Sequence, residues 1–289
     1  MKEDAQATTN SESGATSAFT VDVEDWYQSC IDFDAPITER VVRNVDRVLA
    51  VLDDFGVKGT FFVQGKVAEA FPRLVETLVA EGHEIQSHGY SHRPLFKMDR
   101  KELREEVERA RKTVEDASGT RVTAFRAQDF SIVKENLWAL DVLAEAGFEV
   151  DSSIFPMRTR HYGIAGWRLE PQRMTLADGR HILEVPVAVW EYGPLRVPVA
   201  GGGYFRVMPQ PLLERTLADI IRRRRPVVVY CHPYEFNDQE LREYETAVSR
   251  VVRFSQNMGR SSFVGRVRAL LTSLRFGRFD EVLHAWGLA

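Results

Sequence analysis

From residue 19 onward, strand-like and helix-like segments alternate, and this constrains the fold more than any other feature of the chain. Phe19–Val23 reads as a buried strand. Arg40–Phe55 carries Val41, Val42, Val45, Val48, Leu49 and Leu52 at helical spacing, and Gly56 fits its C-terminal stop. Gly59–Val63 is β-rich, Pro72–Ala80 is helical and closed by Gly82, and Glu84–Gln86 is a short strand. Arg100–Ala117 is a long charged helix with Val107, Ala110 and Val114 on its inner face. Next come a strand at Ala124–Arg126, a helix over Asn136–Ala146 ending at Gly147, and strands at Phe148–Val150 and Ile182–Val185. The helix Pro211–Arg223 and the strand Val227–Tyr230 complete the series. Such alternation predicts parallel strands with helices outside them, and this many units favour a closed or nearly closed barrel. In such barrels the active site gathers at the C-terminal ends of the strands.

The residues expected at those ends are chemically unusual. They are Asp22 to Asp25, His88 to His92, Arg126 to Asp129, Asp151 to Ser153, Glu184 to Pro186, and His232-Pro233. His88 and His92 are four residues apart, the spacing at which two imidazoles share one face of a helical turn and can grip one divalent cation. A surface turn with two solvated histidines would have the same sequence. Asp22, Glu24 and Asp25 crowd the end of the first strand, where aspartate is disfavoured unless it has a task. Two histidines and one carboxylate leave coordination positions open, and a second carboxylate can accept a proton from water. Arg126 follows the apolar pair Ala124-Phe125, where a charge is costly without a partner, and a first-strand carboxylate is the natural one. His232 ends the last strong strand and can give a proton to a departing amine or alkoxide, with Asp151 as the expected neighbour favouring its cationic form. Together these groups describe metal-assisted hydrolysis of a carbonyl derivative.

Bulk properties exclude other classes. Net charge is −4, so general nucleic-acid binding is not expected, and the basic run Arg222–Arg225 reads as the cationic last turn of a helix. Two cysteines, Cys30 and Cys231, make neither a disulfide framework nor a cysteine-rich zinc site. Residues 1–18 read as a disordered tail without the apolar core of a signal peptide, and no segment reaches the length of a membrane span. The expected location is the cytoplasm, extending to the inner face of the membrane.

In order, the motifs resemble those of the NodB-homology polysaccharide deacetylases, carbohydrate esterase family 4. Val21-Asp22-Val23-Glu24-Asp25-Trp26 resembles the first motif and His88-Gly89-Tyr90-Ser91-His92 the second. Phe125-Arg126-Ala127-Gln128, Asp151-Ser152-Ser153-Ile154-Phe155 and Val229-Tyr230-Cys231-His232-Pro233 resemble the third, fourth and fifth. The resemblance covers roughly residues 19–240 and implies a distorted (β/α)7 barrel with a C-terminal extension over 241–289. It also implies one divalent metal, Zn2+ first, with Co2+, Ni2+ or Mn2+ as alternatives. The family's roles map onto His88 and His92 as metal ligands, Arg126 as the residue that orients the base, Asp151 as the residue that tunes the catalytic histidine, and His232 as the acid. Ala200–Arg206 and His232–Asn237 are similar to the exopolysaccharide-locus branch associated with exosortase systems.

Three departures stand out. The family's adjacent Asp-Asp is replaced by Asp22-Val23-Glu24-Asp25; Asp22 is favoured as base and Asp25 as ligand, while Glu24 can take either role. Gln128 stands where the family has proline, and Phe155 where it often has tryptophan. Trp26, Tyr204 and Phe155 are candidate sugar contacts, and Gly201–Gly203 can bring backbone close to a flat ring. The implied activity is removal of N-acetyl or O-acetyl groups from an acetylated amino-sugar polysaccharide or oligosaccharide, or its lipid-linked precursor, in exopolysaccharide biosynthesis. A metal-free amidohydrolase acting on cyclic ureides and an inert glycan-binding module are the competing readings.

Overall fold

The computed structural model describes residues 16–159, 162–244 and 247–288. Seven strands run parallel around the centre: β1 (Ser17–Val23), β2 (Thr60–Val63), β3 (Glu84–Ser87), β4 (Ala124–Phe125), β5 (Val150–Asp151), β6 (His181–Glu184) and β7 (Val227–Cys231). Their order around the sheet is β7-β1-β2-β3-β4-β5-β6, with every neighbouring pair parallel. Every residue of β1, β2 and β7 is buried, as in parallel strands covered on both faces. The gap between β6 and β7 is bridged by irregular chain. Ala188 N–H donates to Val228 O (2.9 Å), and Tyr230 N–H donates to Ala200 O (2.9 Å). The barrel is closed by these bonds instead of a regular ladder, which is the distortion of the (β/α)7 form.

The helices form where sequence chemistry sets their ends. Helix α1 (Trp26–Cys30) follows β1 directly. Helix α2 (Arg40–Asp54) buries the valine and leucine stripe and stops at Gly56, whose φ is 62°. Helix α3 (Gly65–Ala70) leads into α4 (Pro72–Ala80), which begins with proline where an unpaired N–H would otherwise be. Helix α5 (Arg100–Ser118) has a full capping box, Asp99 with Glu102, and ends at left-handed Gly119; Leu103, Val107, Ala110 and Val114 are its buried stripe. Helix α6 (Ala139–Glu145) is shorter than its periodicity suggested because residues 134–136 form a separate 3-10 turn.

After β6 the chain is less regular. A two-stranded hairpin (Val189–Tyr192 with Leu195–Pro198) precedes α7 (Gly202–Val207), and α8 (Gln210–Arg222) ends in the basic run as expected. An antiparallel strand, Gln172–Thr175, extends the sheet beyond β6. Neither the hairpin nor this strand was legible in the sequence. Helices α9 (Arg250–Asn257), α10 (Phe263–Ser273) and α11 (Phe279–Ala285) follow the last barrel strand. Phe263 packs on Phe205 and Phe236, and the Phe279 N–H donates to Thr60 Oγ1 (2.7 Å), so α10 and α11 lie against the barrel. The tail expected over residues 1–18 lies outside the described residues up to residue 15, and Ser17 and Ala18 already belong to β1. Among the described residues no helix is long and apolar enough to cross a membrane.

Candidate active site

The groups at the strand ends converge on one cavity of about 210 Å³. Asp22, Glu24, His88, His92, Asp129 and His232 are among its lining residues. Thr20 and Asp22 alternate along β1 and share one face of the strand, and Glu24, just past its end, lines the same cavity as Asp22. His88 follows the end of β3 and Arg126 the end of β4, while His232 follows β7.

Glu24, His88 and His92 bring three potential ligand atoms within 4.8 Å of one another, and all three residues are buried. Glu24 Oε2 is 3.4 Å from His88 Nε2 and closer still to His92 Nε2. Glu24 Oε1 accepts from the Tyr234 hydroxyl (3.1 Å). Burial pushes the Glu24 carboxyl up, but the charge of His92 and hydrogen bonds from both histidines outweigh it and hold the group well below the usual carboxylate range. A carboxylate kept ionised beside two imidazole nitrogens is a donor set that suits a divalent cation such as zinc. His88 Nδ1 lies 2.9 Å from Arg126 O, the second contact that fixes the orientation of a ligating histidine.

Asp25 is not part of this cluster. Its Oδ1 accepts from the N–H groups of Tyr27 (3.1 Å) and Gln28 (3.5 Å), and its Oδ2 accepts from Thr38 N (3.0 Å) and Thr38 Oγ1 (2.6 Å). The carboxylate caps α1 and ties it to the following loop, so both oxygens are spent on structure. Glu24, one residue earlier, has the direction and reach that Asp25 lacks.

The histidine pair also differs from the expected helical turn. Residues 88–92 form no helix; they make a tight bend in which Gly89 (φ 69°) and His92 (φ 67°) are both left-handed. A left-handed histidine is costly and persists only where its surroundings enforce it. Glu106 Oε1 accepts from the N–H groups of Tyr90 (2.9 Å) and Ser91 (2.7 Å). Gln128 Nε2 donates to Arg93 O (2.6 Å), and a Cβ on Gly89 would fall 2.6 Å from Gln128 Oε1. Gln128 is buried and braces the histidine bend rather than forming a wall of the cavity.

Asp22 and Arg126 pair as the sequence suggested. Arg126 Nη1 lies 2.8 Å from Asp22 Oδ1 and 2.6 Å from Thr20 Oγ1, and Nη2 donates to Ser152 Oγ (3.2 Å). The guanidinium is fully buried over the Phe62 ring, 4.1 Å from its centroid. Breaking such a buried pair typically costs about 3–5 kcal/mol, so the contact fixes the direction of Asp22 firmly.

On the opposite wall, the neighbour of His232 is Glu235 and not Asp151. Glu235 Oε2 accepts from the His232 backbone N–H (3.0 Å) and lies 3.1 Å from its Nδ1. Glu235 Oε1 is 3.5 Å from Arg206 Nε, and the Tyr234 ring stacks on the imidazole at 4.9 Å. Burial lowers the His232 pKa, but the hydrogen bond to Glu235 and the nearby Glu24 carboxylate outweigh it and raise it to about 9. Asp151 instead accepts from Ser153 N (3.2 Å) and from the Ser153 hydroxyl. It sits beside Glu184 in the core. Burial, then the Asp151 charge, push the Glu184 carboxyl well above its usual range. Asp151 is thus turned into the barrel wall, away from His232. The Glu235 contact was legible: Pro at the first and Glu at the third position after a cap residue are a helix-start signature.

Two of the three expected sugar contacts are core residues. Trp26 is 1% exposed and packs on Tyr244, and Phe155 is 1% exposed between Phe130 and Tyr162. Tyr204 is 46% exposed beside Gly202 and Gly203, which line the cavity. Gly201 is forced by close approach, since a Cβ there would lie 2.1 Å from Tyr230 O. Asp129, at φ 54°, and Arg206 also line the site, each inside a segment the sequence had singled out but without a role, and Gln256 joins them with no sequence signal.

Residues 29–150 match the polysaccharide deacetylase family, and residues 152–284 match a domain of unknown function, DUF3473. Over 96 residues, 33% of the chain, the sequence is 32% identical to the peptidoglycan-N-acetylglucosamine deacetylase of Bacillus cereus, covering 35% of that protein. It is 33% identical over 97 residues, 34% of the chain, to the chitooligosaccharide deacetylase of Bradyrhizobium, covering 42% of it. The chain therefore spans less than half the length of these curated relatives. The fold is similar to that of the Puue allantoinase, with a TM-score of 0.62 and 14% identity over 93% of this chain and 89% of that one. The polysaccharide deacetylase match spans β2 to β4 and the DUF3473 match spans β6 and β7, so the two matches share one barrel.

Proposed function

We propose that the protein is a metal-dependent deacetylase that removes acetyl groups from an acetylated amino-sugar polymer. The observation that carries this reading is the convergence, in one cavity, of the Glu24–His88–His92 cluster, the Asp22–Arg126 pair and the His232–Glu235 pair. In this reading Glu24, His88 and His92 hold one divalent ion, Zn2+ first. When bound, the ion supplies Lewis acidity to the acyl carbonyl. Asp22, aimed by Arg126, takes a proton from the attacking water. His232, with Nδ1 engaged by Glu235, presents Nε2 to the cavity and gives its proton to the leaving nitrogen. A C–O bond forms, the C–N bond breaks, and acetate and a free amine leave.

The activities for which the two relatives are named, on peptidoglycan N-acetylglucosamine and chitooligosaccharide, support an amino-sugar substrate. The cavity volume suits an acetyl end with the polymer lying outside. A role in exopolysaccharide biosynthesis is supported by the Ala200–Arg206 and His232–Asn237 motifs, which meet at the site through Arg206 and Glu235. The allantoinase likeness leaves the ureide reading its fold, but the intact histidine pair favours the deacetylase. The test is metal content of the purified protein, followed by acetate release from N-acetylglucosamine oligomers. Stoichiometric divalent metal with acetate release is expected. A metal-free protein that releases no acetate from these oligomers but opens a cyclic ureide would overturn the reading.

A further inference from the structure

Helix α9 is amphipathic, yet it contributes no buried residue. Its apolar side chains Val251 and Phe254 are 78% and 73% exposed, and Met258 just beyond its end is 47% exposed. At positions i, i+3 and i+7 they share one face. The contrast with α8 is direct: its stripe of Leu213, Leu217 and Ile220 is buried in the core. Ser249 caps α9 through the Val252 N–H (3.3 Å), so the helix is locally specified even though its apolar face has no partner in the described residues.

Charge points to what covers that face. Arg242, Arg250 and Arg253 line one groove with Phe254, so cations border the apolar face in a protein whose net charge is −4. Arg250, on α9 itself, is exposed. An apolar stripe on a short helix, bordered by arginines, has the chemistry of a helix lying in the interface of an anionic bilayer. The opposite side of the helix, which carries Gln256, adjoins the cavity. Arg206 Nη1 donates to Gln256 O (2.6 Å), and Gly259 packs against Arg206 O.

We infer that α9, with Met258 beside it, docks the protein onto an anionic lipid surface. The readout is binding, so the inference stands whatever reaction the cavity performs. The full chain is sedimented with phosphatidylcholine vesicles and with vesicles that also contain phosphatidylglycerol. Binding only to the anionic vesicles, weakening as salt rises, is expected. The double variant Val251→Glu, Phe254→Glu should weaken it at least tenfold with no change in melting temperature, because both side chains are exposed. Arg250→Gln, a milder change, should weaken it about fivefold, the factor for one arginine near an anionic surface. No binding, equal binding to both vesicles, or binding unaffected by these variants would overturn the inference. So would self-association abolished by Val251→Glu, which would assign the face to a second copy of the chain.

Discussion

The two walls of the cavity are built differently. The wall carrying Asp22, Glu24, His88, His92 and Arg126 comes from the ends of β1, β3 and β4, neighbours in a regular parallel sheet. The groups there are held across strands and helices: Glu106 on α5 and Gln128 after β4 brace the histidine bend, and Thr20 shares Arg126 with Asp22. The wall carrying His232 comes from β7, Arg206 on α7 and Gln256 on α9, where strand pairing gives way to isolated hydrogen bonds and crossings of irregular chain. The first wall is pre-organised by parallel strands that join distant residues, Asp22 with Arg126, whereas the second pairs His232 with Glu235 three residues on and relies on α7 and α9 to bring up Arg206 and Gln256.

This contrast can be broken by mutation, beginning with the largest effect. His88→Ala removes one of three ligands, so the proposed metal should be lost and acetate release should fall to background. Metal analysis and turnover check it together, and stoichiometric metal retained by the His88→Ala, His92→Ala double variant would sink the assignment. Glu24→Gln should behave like His88→Ala, whereas Asp25→Ala should keep the metal and lower the melting temperature instead, as loss of a helix cap does, by about 1 kcal/mol of stability.

Asp22→Asn should keep the metal and lower turnover on the order of 100-fold or more, the scale of a positioned general base. Full turnover in this variant would leave the base unassigned.

The third prediction concerns the other wall. The His232 pKa, raised to about 9, keeps the imidazolium present well above the usual histidine range, so the proposed acid is lost only as pH rises through that value. Glu235→Gln removes the leading raising contact, so the alkaline limb of the pH–rate profile should move to lower pH. Asp151→Asn should leave that limb in place. A limb that responds to Asp151 and ignores Glu235 would reverse the assignment.

The smallest effect is on stability. The Glu184 carboxyl is raised well above its usual range by burial and by Asp151. A raised folded-state value means the stabilisation is complete below the ordinary glutamate range and is lost as pH rises through the raised value. Glu184→Gln removes that titration, so stability measured by denaturant midpoint should fall less between acid and alkaline pH than in the parent protein. An unchanged slope would show that the pair does not titrate with unfolding.

Much was legible in the sequence because its signals are local. Pro72–Ala80 reads as a helix from its starting proline and following glycine, and the alternation of elements specifies a parallel barrel. The pairing of Arg126 with a first-strand carboxylate followed from the cost of an unpartnered charge beside Ala124-Phe125. The placement of His88, His92 and His232 at strand ends came from the same periodicity.

What the sequence left undecided depended on direction in space. Asp22, Glu24 and Asp25 are nearly identical as letters. Only the tertiary structure separates them, because β1 ends at Val23 and α1 begins at Trp26, which turns Asp25 into a cap and leaves Glu24 facing the histidines. The i,i+4 histidines meet on a left-handed bend because Gly89 and its packing against Gln128 make that bend possible. Asp151 and Glu235 were both available to His232, and the choice fell to Glu235 because a three-residue turn brings it back onto the imidazole while β5 directs Asp151 into the wall. Residue type and periodicity determine which groups reach the C-terminal end of the barrel; the path of the chain after each strand decides which way each one points.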